Sequence, residues 1–545
     1  MDIFADVIDW LLDIVWNTPE AMPLMVLLLL SFGIFITVRL SFIQITQFSH
    51  GLKVVSGKYD DPDDEGDINH FQALSTALSA TVGIGNIAGV ALAIHIGGPG
   101  AIFWMWVTAV LGMAIKFTEV TLAQEYRITN KDGSVSGGPM YYIEKGLGKN
   151  WKWLAVAFSV AAAICAFLTG NAVQANTVAD VMASDFEMPR ALTGFITAGL
   201  VGAVILGGIK RIGYVTARLV PFMATIYVLA GLLILLMNYQ MVIPAFWTII
   251  TNAFNPQAGV LGVGSGTLIL TLSYGVQRGI FSNEAGQGSA PIAHSAAKTD
   301  QPVREGVVAL LEPFIDTLIV CSITGLVIVS TGAWDMHHSA SVNPSDGAIE
   351  YVIHETEDPE QQNVLFFENG VPVNGEMQRY SAVVDTMYVD RAETEYFTGR
   401  IEGAGTAPVA FSEDGQILDR IYGGVVETGA PLTARAFEIG LSPLGAGGGL
   451  LVTISVILFG ISTSISWSYY GDRAAQYLFG FKSIFWYRLA FVGMHFVGAI
   501  TALTTIWAFG DVMLGLMAFF NIIALFALSG VIVRITKNYF EDTEV

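Results

Sequence analysis

Two glycine-rich polar stretches interrupt apolar sequence where a plain helix would carry leucine and alanine. The first, Ser79-Ala80-Thr81-Val82-Gly83-Ile84-Gly85-Asn86-Ile87-Ala88-Gly89, sets two glycines around one residue in the middle of an apolar run. Gly83, Gly85 and Ala88 formally match the dinucleotide pattern Gly-x-Gly-x-x-Gly/Ala. That pattern has meaning only between a strand and a helix in a soluble βαβ unit, and the surrounding sequence is not one. Inside a membrane span the same glycines suggest local unwinding. Freed N–H and C=O groups there cost several kcal/mol each unless protein or ligand takes them. Close helix packing through small residues accounts for this stretch equally well on its own.

The second stretch is harder to reconcile with packing alone. Tyr274-Gly275-Val276-Gln277-Arg278-Gly279-Ile280-Phe281-Ser282-Asn283-Glu284-Ala285-Gly286-Gln287-Gly288 brings four glycines flanking two opposite charges into an apolar segment. A charge at the centre of a bilayer costs about 2.5–3.5 kcal/mol even on the lenient scale. Paired broken helices of this kind place half-helix N–H groups around a carboxylate and unwound carbonyls around a cation. A further stripe, Gly460, Thr463, Ser464 and Trp467, has the spacing i, i+3, i+4, i+7 and occupies one helix face. Its hydroxyls, with unwound carbonyls, give the all-oxygen shell that a hard cation such as sodium prefers; the alternative is that they bond back to their own helix. Asn171 and Gln174 either reach the same cavity or serve as interhelical hydrogen-bonding glue. Lys116 and Glu119, at i and i+3, are expected to pair with each other, and Glu312 and Asp316 to partner Arg278. His95 is expected to be wetted near an outer interface.

The elements that must carry these residues follow from composition. The chain has 545 residues, 53% hydrophobic and 13% charged, with mean hydropathy +0.57, against about 25% charged in soluble domains. A soluble enzyme and a single-span receptor are both excluded. The apolar stretches predict an all-α polytopic membrane protein with eleven spans, at 21–38, 70–95, 101–125, 152–182, 191–207, 215–238, 261–297, 306–332, 446–470, 483–507 and 510–533. The second broken stretch follows the first by five spans, the offset of corresponding helices in inverted halves. Residues 1–16 read as an amphipathic helix with Phe4, Ile8, Leu11, Leu12 and Val15 on one side, and Thr18-Pro19-Glu20 as the cap and start of the first span. Nothing at this end has the basic start of a secretory signal. Eighteen of the 26 Lys and Arg fall on one side if the N-terminus is outside and the C-terminus cytoplasmic.

Between Asp335 and Glu438 there are 19 acidic residues against five Arg and no Lys, so this segment carries 14 of the 21 net negative charges. Such a surface argues against nucleic acid. Apolar stretches at 363–367, 381–384 and 424–426, with turn signals Glu368-Asn369-Gly370 and Glu413-Asp414-Gly415, predict a small outer domain of short strands, β or α/β. The two cysteines, Cys165 and Cys321, support neither a disulfide framework nor a zinc site.

Five stretches together resemble the alanine or glycine:cation symporter family: Val82–Ala91, Lys116–Ala123, Ser136–Tyr142, Arg278–Gly286 and Trp467–Arg473. The resemblance implies a five-plus-five inverted-repeat fold of the bacterial leucine transporter (LeuT) type, with one added N-terminal span. It implies that Thr81, Gly83, Gly85 and Asn86 cradle the substrate and that Gln174, Phe281, Thr463 and Trp467 wall it, with Asn171 and Gly279 among its contacts. A sodium site would take the carbonyls of Ser79 and Val82 with Gly460, Thr463 and Ser464. Ile84 stands where the family usually has Thr, and the acidic insert is not a usual family feature.

These readings converge on a secondary transporter of the cell membrane that imports alanine or glycine with Na⁺ as coupling ion, with no cofactor and the bilayer as its surroundings. Its organisation would be 1–67, an amphipathic segment, first span and cytoplasmic loop; 68–332, the first repeat and start of the second; 333–445, the outer insert; and 446–545, the last spans. The alternatives are a proton-coupled symporter of the same shape, or a sensor or adhesion protein that uses the acidic outer domain.

Overall fold

The computed structural model describes residues 7–542, except 9, 20–22, 256–266, 337, 345–348, 354–362, 380, 381, 385, 391, 404–407, 426, 446 and 502–503. Phe4, Glu20, Ser381, Val426 and the start of the 261–297 span therefore lie outside the described residues.

Among the described residues, the helices that frame the site include α1 (Leu24–Arg39), α2 (His70–Thr81), α3 (Val90–Gly97), α4 (Ala101–Glu125), α5 (Lys149–Ala183), α6 (Arg190–Ile205), α7 (Gly208–Met237), α8 (Thr267–Asn283), α9 (Ala290–His294), α10 (Pro302–Thr331), α11 (Gly429–Leu441), α12 (Gly448–Phe479), α13 (Ser483–Ile500) and α14 (Trp507–Glu541). Seven of them, α4, α5, α7, α10, α12, α13 and α14, are long and apolar enough to cross a membrane. The bent pair α2–α3 makes eight, and α1 and α6 are shorter apolar helices. One apolar cluster runs through all the long helices, from Val15 to Tyr539.

Local sequence sets several boundaries. Asn69 and Gln72 close a capping box at the start of α2, with Asn69 Oδ1 accepting from Gln72 N at 2.8 Å and Gln72 Oε1 from Asn69 N at 3.2 Å. Pro302 occupies the first turn of α10, where its missing N–H is not needed. The first span departs from expectation: it begins at Leu24 after Pro23, and Thr18 contributes its carbonyl to Leu24 N at 3.0 Å in place of a side-chain cap. Helix α12 continues nine residues past the predicted 470, because Asp472 and Arg473 pair with each other at 2.8 Å and so remain buried at no unpaired cost. His95 on α3 is fully buried, not wetted, since α4, α8, α10 and α11 pack around that short helix.

Among the described residues, the acidic segment folds as three antiparallel sheets. The largest runs in the order Ile417–Leu418, Val409–Ser412, Gly399–Glu402, Val364–Glu368, Val371–Pro372. Ile401 lies opposite Leu365 on one side and Ala410 on the other, so these residues share the buried face. Asn369 and Gly370 both take positive φ in the two-residue hairpin that pairs Glu368 with Val371, the geometry that selects Asn-Gly. Residues 429–441, inside the predicted insert, form α11 and belong to the transmembrane cluster through Leu432, Ala436 and Phe437.

Candidate functional site

The first polar stretch is a broken helix. Helix α2 stops at Thr81, Val82 leaves helical geometry with ψ 83°, and the chain resumes as a turn of π-helix at Gly85–Gly89 before α3, bent by 52°. The glycines are needed for close approach. A Cβ on Gly83 would lie 2.5 Å from Thr463 Oγ1, and one on Gly85 would lie 3.0 Å from the Phe281 ring. The second stretch breaks as well: α8 ends at Asn283, and Glu284, Gly286 and Gly288 take positive φ before α9.

Helix α12 lies along the first break. Ser79 Oγ is 2.6 Å from Ser462 Oγ and donates to Ser462 O at 2.8 Å, while Thr463 Oγ1 is 3.4 Å from Ala80 O. Val82 is fully buried beside this contact. Ser464 Oγ bonds back to Gly460 O at 3.1 Å, and Gly460 packs on Val178. The expected cation ligands therefore gather at one helix pair, with the Ser464 hydroxyl turned to its own helix.

A small cavity of about 20 Å³ opens between these elements. Thr81, Gly83, Gly85, Gln174, Phe281, Thr463 and Trp467 line it, together with Thr169, Glu284, Gln287 and Leu514. Trp467 Nε1 donates to Glu284 Oε1 at 3.0 Å, and Ser289 donates to Glu284 Oε2. Gly170 permits the indole to sit there, since a Cβ would approach it to 2.4 Å.

Three residues of the predicted substrate set point elsewhere. Asn171 donates to Phe491 O at 2.8 Å and contacts His495 Nδ1 at 2.7 Å, so its amide is committed to α13. Gly279 packs on Thr108 of α4. Asn86 braces the break from behind: its Oδ1 accepts from Gly83 N at 2.8 Å, and its Nδ2 donates to Asp316 Oδ1 at 2.6 Å and Ser282 Oγ at 3.1 Å. It shapes the unwound segment while the cavity is lined by others.

The buried charges take other partners than the sequence expectation gave them. Lys116 meets Glu312 at 3.2 Å, not Glu119. Glu119 instead accepts from Gly288 N at 3.0 Å and Asn521 Nδ2 at 2.5 Å, holding the second break. Asp316 takes Asn86, Ser282 and Thr317, and the nearest acid to Arg278 is Asp511 at 3.8 Å. In each case at least one partner of the buried charge comes from another helix.

Gln287, Ser462 and Asn521 are not singled out by the sequence, and Glu284 enters it only as one of two opposite charges. Glu284 and Gln287 lie within the second irregular stretch, so the signal was present, but not which of its side chains line the cavity.

The profile of the sodium:alanine symporter family matches residues 1–366 and 414–545. A sodium/alanine symporter of Methanococcus maripaludis is 42% identical over 540 residues, 99% of this chain and 98% of that one. An uncharacterized transporter of Haemophilus influenzae is 37% identical over 533 residues, 97% of this chain and 95% of that one. Among solved structures, MhsT in complex with L-phenylalanine aligns with a TM-score of 0.47 at 10% identity, over 87% of this chain and 98% of that one.

Proposed function

The chain belongs to the sodium:alanine symporter family and is a multi-pass, cation-coupled amino-acid transporter rather than an enzyme, and from that premise we propose that it imports alanine or glycine together with Na⁺. The observation that carries this reading is the unwound Val82–Ile84 segment meeting Thr463 across Gly83, beside a cavity walled by Phe281 and Trp467. The walls of Phe281 and Trp467, close on the break, favour a substrate with hydrogen or methyl as its side chain. The Ser79, Val82, Gly460, Thr463 and Ser464 cluster supplies oxygen ligands for a hard cation. We read the architecture as eleven spans, a five-plus-five inverted repeat after α1, with the N-terminus and acidic domain outside. Alternating access would be one bundle rocking against the other about the two breaks.

The driving force is sufficient: about 2.3 kcal/mol per 100 mV and about 1.4 kcal/mol per tenfold Na⁺ gradient sustain roughly 500-fold accumulation of a neutral amino acid with one Na⁺. The test is labelled-alanine uptake by proteoliposomes under an inward Na⁺ gradient against an equal choline gradient. Uptake in Na⁺ alone, competed by glycine and not by leucine, is the expected result. Equal uptake in both gradients overturns the sodium site and favours coupling to protons.

A further inference from the structure

Three buried side chains bring hydrogen-bond acceptors to the cavity. Gln174 and Gln287 come from different elements and both line it. Each amide nitrogen is tied to a backbone carbonyl, Gln174 Nε2 to Thr169 O at 3.1 Å and Gln287 Nε2 to Ile280 O at 2.8 Å. One N–H of each amide is thus used, and both amide oxygens are left over. Both Oε1 atoms are buried without a hydrogen-bond partner, on side chains 3% and 0% exposed. The third acceptor is Glu284, 2% exposed, whose hydrogen bonds come only from neutral donors, the Trp467 indole and the Ser289 hydroxyl.

Buried acceptors of this kind are normally paired, and an unpaired one forfeits the hydrogen bond that water would have given it. Two amide oxygens and a carboxylate match, in number and in sign, a primary ammonium, which has three N–H donors, no acceptor and one positive charge. The aromatic walls Phe281 and Trp467 add faces that attract an ammonium. A carboxylate would be repelled by the same three groups.

We infer that Glu284, Gln287 and Gln174 form the receptor for the primary α-ammonium group of the transported amino acid. The inference rests on the amino-acid reading proposed above and adds to it a discrimination by N–H count. Each methyl placed on the nitrogen removes one donor and leaves one buried acceptor unpaired. A 2-hydroxy acid such as lactate brings one donor and no charge, and is rejected.

The test is competition against labelled alanine on the purified full-length protein in saturating Na⁺. Losing one hydrogen bond to a charged group is expected to weaken N-methylalanine about tenfold relative to alanine, with the N-trimethyl compound and lactate weaker still. In Gln287→Leu the alanine affinity falls about tenfold while that of N-methylalanine changes little, so the preference collapses. Gln287→Glu retains an acceptor and keeps the preference; Gln174→Leu repeats the comparison should Gln287→Leu not fold. The Na⁺ half-saturation stays unchanged throughout. A Gln287→Leu protein with the wild-type preference overturns the assignment, as does one that shifts only the Na⁺ requirement. A wild type that binds alanine and N-methylalanine equally overturns this inference alone, whereas one that binds no amino acid overturns the transport reading with it.

Discussion

The Trp467 indole N–H and the Glu284 carboxylate meet at 3.0 Å, joining α12 to the break that follows α8. This one contact couples the helix that contributes Thr463 to the turn that contributes two of the cavity's acceptors. Trp467→Phe keeps the ring and removes the donor. The variant should lose about 1–3 kcal/mol of stability, the cost of one unsatisfied buried acceptor, and bind alanine more weakly. Thermal unfolding and uptake on the same preparation check both.

Glycine-to-alanine substitutions should rank by the space available. Gly170→Ala and Gly83→Ala, whose new methyls would lie 2.4 Å from the Trp467 ring and 2.5 Å from Thr463 Oγ1, should abolish uptake. Gly85→Ala meets Phe281 at 3.0 Å, where a ring can shift, and should retain partial activity. Initial rates at equal expression give the order.

Thr463 and Ser464 differ in how free they are for a cation. Ser464 already bonds to Gly460 O at 3.1 Å, whereas Thr463 Oγ1 is only 3.4 Å from its nearest carbonyl partner, Ala80 O. Thr463→Val should raise the Na⁺ concentration for half-maximal uptake more than Ser464→Ala, and the double variant more than either. Unchanged Na⁺ dependence in the double variant would remove the proposed site.

Lys116 and Glu312 are both fully buried at 3.2 Å. Lys116→Met leaves Glu312 only His294 Nε2, at 3.5 Å, as a basic neighbour and should cost about 3–5 kcal/mol, and Lys116→Met with Glu312→Gln should recover most of that loss. Melting temperatures in detergent, read as a double-mutant cycle, measure the coupling.

The acidic domain and α11 should separate on deletion. Thr433 Oγ1 of α11 donates to Ile87 O at 2.9 Å, on the turn that resumes the broken helix. Replacing residues 338–425 by a short linker should leave uptake intact, whereas extending the deletion through 441 should abolish it. Loss of uptake in the shorter deletion would give the outer sheets a direct part in transport.

Hydropathy and residue type determined much of this protein. An apolar run is a property of consecutive residues, so the long apolar helices were legible, and glycine pairs inside such runs located both breaks. The Asn369-Gly370 hairpin was legible for the same local reason. What only the tertiary structure decided is direction and partnership. Asn171 and Gln174 lie three residues apart on one apolar span, yet Asn171 turns to Phe491 and His495 while Gln174 lines the cavity. Lys116 passes over Glu119, its neighbour one turn on, for Glu312 some 200 positions away. The physical reason is desolvation. A buried charge or amide is stable only where a partner meets it in space, and in a bundle that partner stands on a neighbouring helix, at a distance that no sequence spacing records.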